Sequence, residues 1–271
     1  MRVRATTTTT TTTTVAAVIG AVALSALAVP TAQAAPAGPA VTFSNVKVNS
    51  KAVVIGPTAK VTVSASYTVT KPANLSAASF DSGPVLYRGS TLNVENRVII
   101  GDDPGTCTAA SSTVLKCTAK IQFRPVATAD YGNLRNSDAG TWNIGAIAVG
   151  DSGLTTKGGF GTVKLLRASK LTANAAPEPV RKGATITVTG KLSRANWDSN
   201  TYAGYSTQPV KLQFRKAGTT AYTTVKTIKT STTGALKTTV KATADGYFRY
   251  SFAGTSTTPA VNATGDYIDV R

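Results

Sequence analysis

Two cysteines, a sparse set of carboxylates and one aromatic-rich segment are the residues of this chain that could support chemistry. Among its 271 residues there is no histidine. Histidine is the usual proton shuttle near neutral pH and the commonest metal ligand. Ser-His-Asp and Cys-His catalysis therefore have no base. No Ser-x-x-Lys here is accompanied by Ser-Asp-Asn and Lys-Thr-Gly boxes, so a Ser-Lys hydrolase has no support either. Paired carboxylates could cleave a glycosidic bond, but Glu95 and Glu178 are the only glutamates. Most aspartates sit beside glycine in turn-like stretches, where the side chain bonds nearby backbone amides. The expectation is that the protein is not an enzyme.

Calcium is the one metal these residues leave open, because it needs only oxygen ligands. Asp102 and Asp103 form the densest acidic pair and are the candidate calcium ligands, while Asp266 and Asp269 flank the last expected strand. No Asp-x-Asp-x-Asp-Gly loop is present, and the bulk charge repels cations. No other cofactor is expected. Cys107 and Cys117, the only cysteines, are expected to form a disulfide that ties a hairpin-like loop at its base. A redox site would more often read Cys-x-x-Cys, and zinc needs more ligands than two thiols.

The stretch Arg194 to Tyr205 (RANWDSNTYAGY) is polar and aromatic and lies between two expected strands. Trp197, Asn200, Tyr202 and Tyr205 are the candidate ligand-binding residues, with rings that could stack on sugars and amides that could bind hydroxyls. The competing reading is that these rings cap a core or pack the loop against a sheet. The net charge of +17 attracts polyanions. Outside a cell this points to an anionic cell-wall polymer or polysaccharide as partner. The lysines are scattered along the strands, which also suits charge used for solubility alone. No recognition motif supports specific nucleic-acid binding.

The elements that must position these residues are strands. Residues 1–34 read as a cleaved signal peptide: Arg2 and Arg4, then the apolar Val15 to Val29, then Ala32-Gln33-Ala34. No second hydrophobic segment follows, so the mature chain is expected to have no transmembrane span and to be secreted, extracellular or wall-associated. Residues 35–40 read as a flexible Pro/Gly/Ala leader. From Val41 onward the apolar residues alternate, as in Lys60 to Thr70 and in Ala184 to Leu192, the period of a strand with one buried face. Further strands are expected at 85–87, 91–100, 114–123, 142–149 and 161–166. A second block follows with strands at 210–215, 222–228, 236–240, 247–252 and 267–270. About seven short strands per hundred residues is the count of an immunoglobulin-like sandwich.

The two blocks echo each other. Asp138-Ala139-Gly140-Thr141-Trp142 can be laid over Ala244-Asp245-Gly246-Tyr247-Phe248. Gly140 and Gly246 are expected to supply a positive φ entering a penultimate strand, with Trp142 and Phe248 pointing into each core. These stretches, together with the N-terminal segment, resemble secreted actinobacterial Ig-like β-sandwich proteins, some of them described as calcium-binding. The resemblance implies architecture and export. The expected fold is therefore all-β, with two tandem immunoglobulin-like sandwiches at 41–168 and 169–271. The expected role is non-enzymatic binding or structure outside the cell, with carbohydrate or wall-polymer binding as the first alternative and calcium binding as the second.

Overall fold

A computed structural model describes residues 38–129 and 131–271. The signal peptide expected at 1–34 lies outside the described residues. Of the leader expected at 35–40, residues 35–37 also lie outside the described residues; in the rest, Pro39 is buried and its carbonyl accepts a hydrogen bond from the Thr155 hydroxyl at 2.7 Å.

Ten strands build the first sandwich: β1 (Thr42–Val48), β2 (Val53–Ile55), β3 (Val61–Thr70), β4 (Phe80–Tyr87), β5 (Ile99–Ile100), β6 (Thr106–Ala109), β7 (Val114–Phe123), β8 (Gly140–Gly150), β9 (Gly153–Lys157) and β10 (Thr162–Arg167). One sheet runs β1-β3-β7-β6 and the other β2-β10-β8-β4-β5. These are the places of the A-B-E-D and A′-G-F-C-C′ strands of an immunoglobulin fold. The parallel pairing of β2 with β10 is part of that pattern. β9 and β10 share one edge of β8, so the last strand is broken in two.

The second sandwich repeats the plan with β11 (Ser169–Leu171), β12 (Asn174–Ala176), β13 (Thr185–Asn196), β14 (Thr201–Gly204), β15 (Pro209–Lys216), β16 (Thr223–Lys229), β17 (Ala235–Lys241), β18 (Gly246–Phe252), β19 (Val261–Asn262) and β20 (Asp266–Ile268). β13 is the hub of one sheet, pairing β11, β12, β14 and β17; the other sheet runs β16-β15-β18 and closes on β19 and β20. Both domains are immunoglobulin-like β-sandwiches.

The alternation seen in the sequence is the reason these strands pack. Along β3, Val63, Ala65, Tyr67 and Val69 are buried while Thr62, Ser64 and Ser66 face out. Each core also contains a tyrosine that bonds across the two sheets. The Tyr67 hydroxyl donates to the Ser82 carbonyl at 2.9 Å, and that of Tyr250 to the Val188 carbonyl at 2.9 Å. Burial pushes the Tyr250 phenol up to about 12. Trp142 and Phe248 both lie inside, 1% and 4% exposed.

Three local expectations need correction. The strand expected at 91–100 forms only as Ile99–Ile100, because the Asn93 side chain accepts from the Glu95 amide and folds that stretch into a turn. Gly140 has the positive φ expected of it (+124°), but Gly246 is not in the left-handed region. Gly246 is required by close approach instead: a Cβ there would stand 2.5 Å from the Phe214 ring. The 194–205 stretch is a β13–β14 hairpin, with only Trp197 to Asn200 in its turn.

Candidate functional site

The hairpin turn does not open to solvent. Trp197 is fully buried and packs with the core of the first sandwich. Its Nε1 donates to the carbonyls of Ile55 and Gly56, at 3.3 and 3.0 Å. The Trp197 amide donates to Asn136 Oδ1 at 2.9 Å, and Asn136 returns its own amide and side chain to Asp198 and Asn196. The Asn200 side-chain amide donates to the carbonyls of Pro57 (3.1 Å) and Pro125 (2.9 Å). Both residues therefore hold the two sandwiches together, and neither presents a ligand-binding group. Arg167, buried where β10 ends, adds a bond from Nε to the Ala195 carbonyl at 2.6 Å. Burial, and then the neighbouring Arg194, bring its guanidinium down to about 10.

The tyrosines of the same stretch stay close to the junction. Tyr202 is half-buried against the first core with the Lys170 ammonium 4.1 Å from its ring centre. Tyr205 is 9% exposed, with the Arg194 guanidinium 3.8 Å from one side and the Phe252 ring edge-on at 5.8 Å.

The cysteines are joined as expected. Cys107 and Cys117 face each other in register across β6 and β7, with Cα atoms 4.1 Å apart. The bond lies within the hairpin's own ladder. Among the acids, Asp102 takes both guanidinium nitrogens of Arg124 on its two carboxylate oxygens, one at 2.7 Å. The paired guanidinium neutralises this carboxylate and stands where a cation held by both of its oxygens would stand. Asp138 likewise accepts from Arg97 and from the Arg135 amide, and Asp245 accepts from the Val270 amide. Among the described residues no group of three or more Cys, Asp or Glu side chains is placed to hold a metal.

What tertiary structure does assemble is a face on the second sandwich, the outer surface of the β16-β15-β18 sheet. Along β15, Lys211, Gln213 and Arg215 point outward against inward Val210, Leu212 and Phe214; along β18, Tyr247 and Arg249 do the same against Phe248 and Tyr250. Register then pairs Arg215 with Tyr247, Tyr247 with Tyr267, and Gln213 with Arg249. The result is an interleaved stack. The Arg215 guanidinium lies 4.1 Å from the Tyr247 ring centre and 5.4 Å from that of Tyr222. The Arg249 guanidinium lies 3.7 Å from Tyr222, and Tyr247 and Tyr267 are 5.1 Å apart. Arg249 Nε also donates to Gln213 at 2.9 Å.

Each cation–π contact contributes about 0.5–1 kcal/mol at such exposed positions. Their larger effect is to fix two guanidinium planes before any ligand arrives. The paired positions of β15 and β18 carry no acid. Hydrogen bonding to Tyr222 raises the Arg215 pKa further above its ordinary value. The Tyr267 end is less positive: burial and then Asp245 and Asp269 raise its phenol.

This face was missed in the sequence because its members come from three separated segments. The signal was present in Gln213-x-Arg215 and Tyr247-x-Arg249, the outward positions of two alternating strands. Their adjacency depends on strand order, which sequence spacing does not give.

Among the described residues no helix is long and apolar enough to cross a membrane. No family model and no curated protein matches the chain. Solved structures match it only at low similarity. Latent PorU from Porphyromonas gingivalis is 11% identical over 85% of this chain and 20% of its own, with a TM-score of 0.28. The Yersinia pseudotuberculosis adhesin InvE is 15% identical over 84% and 58%, at 0.27. Titin domains I67–I69 are 11% identical over 86% and 66%, at 0.34. This chain thus spans a fifth of latent PorU and just over half of InvE. At these scores the likenesses add nothing to the strand pairings, on which the immunoglobulin-like assignment rests.

Proposed function

We propose that this protein is a non-enzymatic, exported binding protein that attaches to an anionic cell-wall polymer or polysaccharide through the Tyr/Arg face of its second sandwich. The observation that carries the reading is the pre-ordered row of Arg215, Tyr247 and Tyr267, whose β15 and β18 part carries no acid at its paired positions, with Asp245 and Asp269 confined to the Tyr267 end. Rings and guanidinium groups are the side chains that bind at low entropic cost, because few torsions remain to be frozen. Catalysis has no support from a chain without histidine whose best-placed carboxylates accept from arginine or backbone. Export rests on the N-terminal segment, and the resemblance to secreted actinobacterial proteins belongs to the same proposal.

The test is retention of the full mature chain on purified bacterial cell wall. Tyr247→Ala combined with Tyr267→Ala should abolish retention, whereas Tyr202→Ala should not. Equal retention of the face variant and the parent would defeat the proposal. A structural role is the second reading, favoured by the fully buried Trp197 wedge that joins the sandwiches. It predicts that the face variant behaves like the parent while junction variants lose function.

A further inference from the structure

We infer that the polymer bound by this face is a uronate-bearing polysaccharide, with its carboxylates on Arg215 and Arg249 and its sugar rings against Tyr247 and Tyr267. The inference rests on the binding reading above and names the ligand class.

Three features point to it. The first is linearity. Tyr222, Arg215, Tyr247 and Tyr267 follow one another across the strands at steps between 4.1 and 5.4 Å. Such steps are close to the advance of one sugar along a glycan chain. A small free anion would use one position of this row, whereas an extended polymer uses them all.

The second is the kind of cation. The two charges at the centre are arginines stacked on rings, and Lys211 stands to the side, opposite Ser251. Arginine's rigid planar fork matches a carboxylate with two parallel bonds, while lysine offers only a point charge. Stacking fixes the planes, the Gln213 bond to Nε restrains Arg249 and the Thr219 carbonyl holds Arg215 Nη1, which leaves the Nη1–Nη2 edge of Arg249 and the Nε–Nη2 edge of Arg215 to a carboxylate. Charge alone would be served equally well by lysine, which outnumbers arginine in the chain.

The third is the geometry of the rings. Tyr247 and Tyr267 are tilted 59° to one another on an open sheet surface. Single-stranded nucleic acid is held in a basic groove with successive bases stacked on aromatic platforms. Neither the tilt nor the flat surface suits that mode. A puckered sugar presents C–H bonds in several directions and needs no parallel pair of rings. A polyol phosphate has no rings for the tyrosines at all.

The experiment measures the affinity of the full mature chain for four probes at about 0.15 M salt, where exposed charges are screened beyond about 8 Å. The probes are polygalacturonate, poly(glycerol phosphate), neutral dextran and a single-stranded oligonucleotide. Polygalacturonate should bind most tightly and dextran not measurably. Changing both arginines to lysine (R215K with R249K) keeps the charge and should weaken polygalacturonate binding by about tenfold or more, as expected for losing charge-assisted bidentate bonds. Lys237→Gln with Lys241→Gln, on the opposite sheet, removes two charges and should change affinity by no more than about twofold.

Harmless arginine-to-lysine changes, or an equal loss from the lysine pair, would reduce the effect to net charge and overturn the inference. Tighter binding of the phosphate polymer or the oligonucleotide would overturn it too. Thermal unfolding of each variant checks its fold, and Arg249→Gln alone is the milder substitute if the double variant is unstable. The two claims fail separately. If polygalacturonate does not bind but wall retention still needs Tyr247 and Tyr267, the ligand class is wrong and the binding reading stands. If wall retention is indifferent to those tyrosines, both are wrong.

Discussion

Replacing Trp197 with alanine should divide this protein into two independently melting sandwiches. The ring is fully buried, and its Nε1 donates to the Gly56 carbonyl and shares the Ile55 carbonyl with the Ala168 amide. Truncating a buried tryptophan costs about 3–5 kcal/mol in transfer and cavity terms. Losing the donor leaves the Gly56 carbonyl without its partner, which water entering the cavity would partly satisfy, while the Ile55 carbonyl keeps the Ala168 amide. For a cooperative unit of this size, a loss of that order corresponds to a fall of about 10 °C in the temperature of the main transition.

The junction keeps the side-chain bonds of Asn200, Asn136 and Arg167 and the backbone bonds of Arg167 and Ala168 to Thr257 and Ile55, but none of these fills the space the ring leaves. They should not hold the domains in one geometry once water enters. Calorimetry should therefore show one transition in the parent and two in the variant. Small-angle scattering should show a larger and broader distribution of dimensions. Trp197→Phe, which keeps most of the volume and loses the Nε1 donor, should fall between the two. A variant that still melts in one step within about 3 °C of the parent would show that the wedge does not couple the domains, and the reasoning would be wrong.

Four further outcomes are expected. Breaking the Cys107–Cys117 bond with reductant should cost about 2–3 kcal/mol, the chain-entropy value for a loop this short, read as a lower denaturation midpoint for the first sandwich only. Thr258→Val should raise the melting temperature by about 2–4 °C, because the hydroxyl of Thr258 is buried without a partner and valine replaces it at equal volume; a lower temperature would mean the hydroxyl is satisfied. Stability should fall as pH rises from about 10 to about 12, since Tyr250 is neutral in the fold up to about 12 while its unfolded counterpart ionises near 10. The contribution is complete below pH 10, and Tyr250→Phe should flatten that decline. Millimolar calcium should leave the melting temperature unchanged, because Arg124 occupies Asp102; a chelator-reversible rise would revise that assignment.

Much of the architecture could be read along the chain because period-two alternation is a local property. Lys60 to Thr70 and Ala184 to Leu192 read as strands, and strands they are, since their buried and exposed positions alternate as the residues do. The Cys pair read as a disulfide because the only two cysteines lie ten residues apart and suit neither a redox nor a zinc site. The reading failed where a side chain decided the backbone, as with Asn93 breaking the 91–100 stretch. It failed again at Gly246, where the constraint comes from the ring of Phe214 on a neighbouring strand.

The functional residues divide along the same line. The sequence by itself determined that histidine chemistry is absent, that the charge is strongly positive, and that each strand has one apolar face to bury. It marked Trp197 as unusual without saying which way the ring turns. Only the tertiary structure decided that Trp197 and Asn200 join the two domains, because their partners at Ile55, Gly56 and Pro125 lie more than 70 residues away. It alone also decided where charge and aromatic rings meet. Arg215, Tyr222, Tyr247 and Tyr267 are brought together by the order and register of β15, β16, β18 and β20. That order is set by which buried faces fit against each other in the core, and a linear pattern of residues does not contain it.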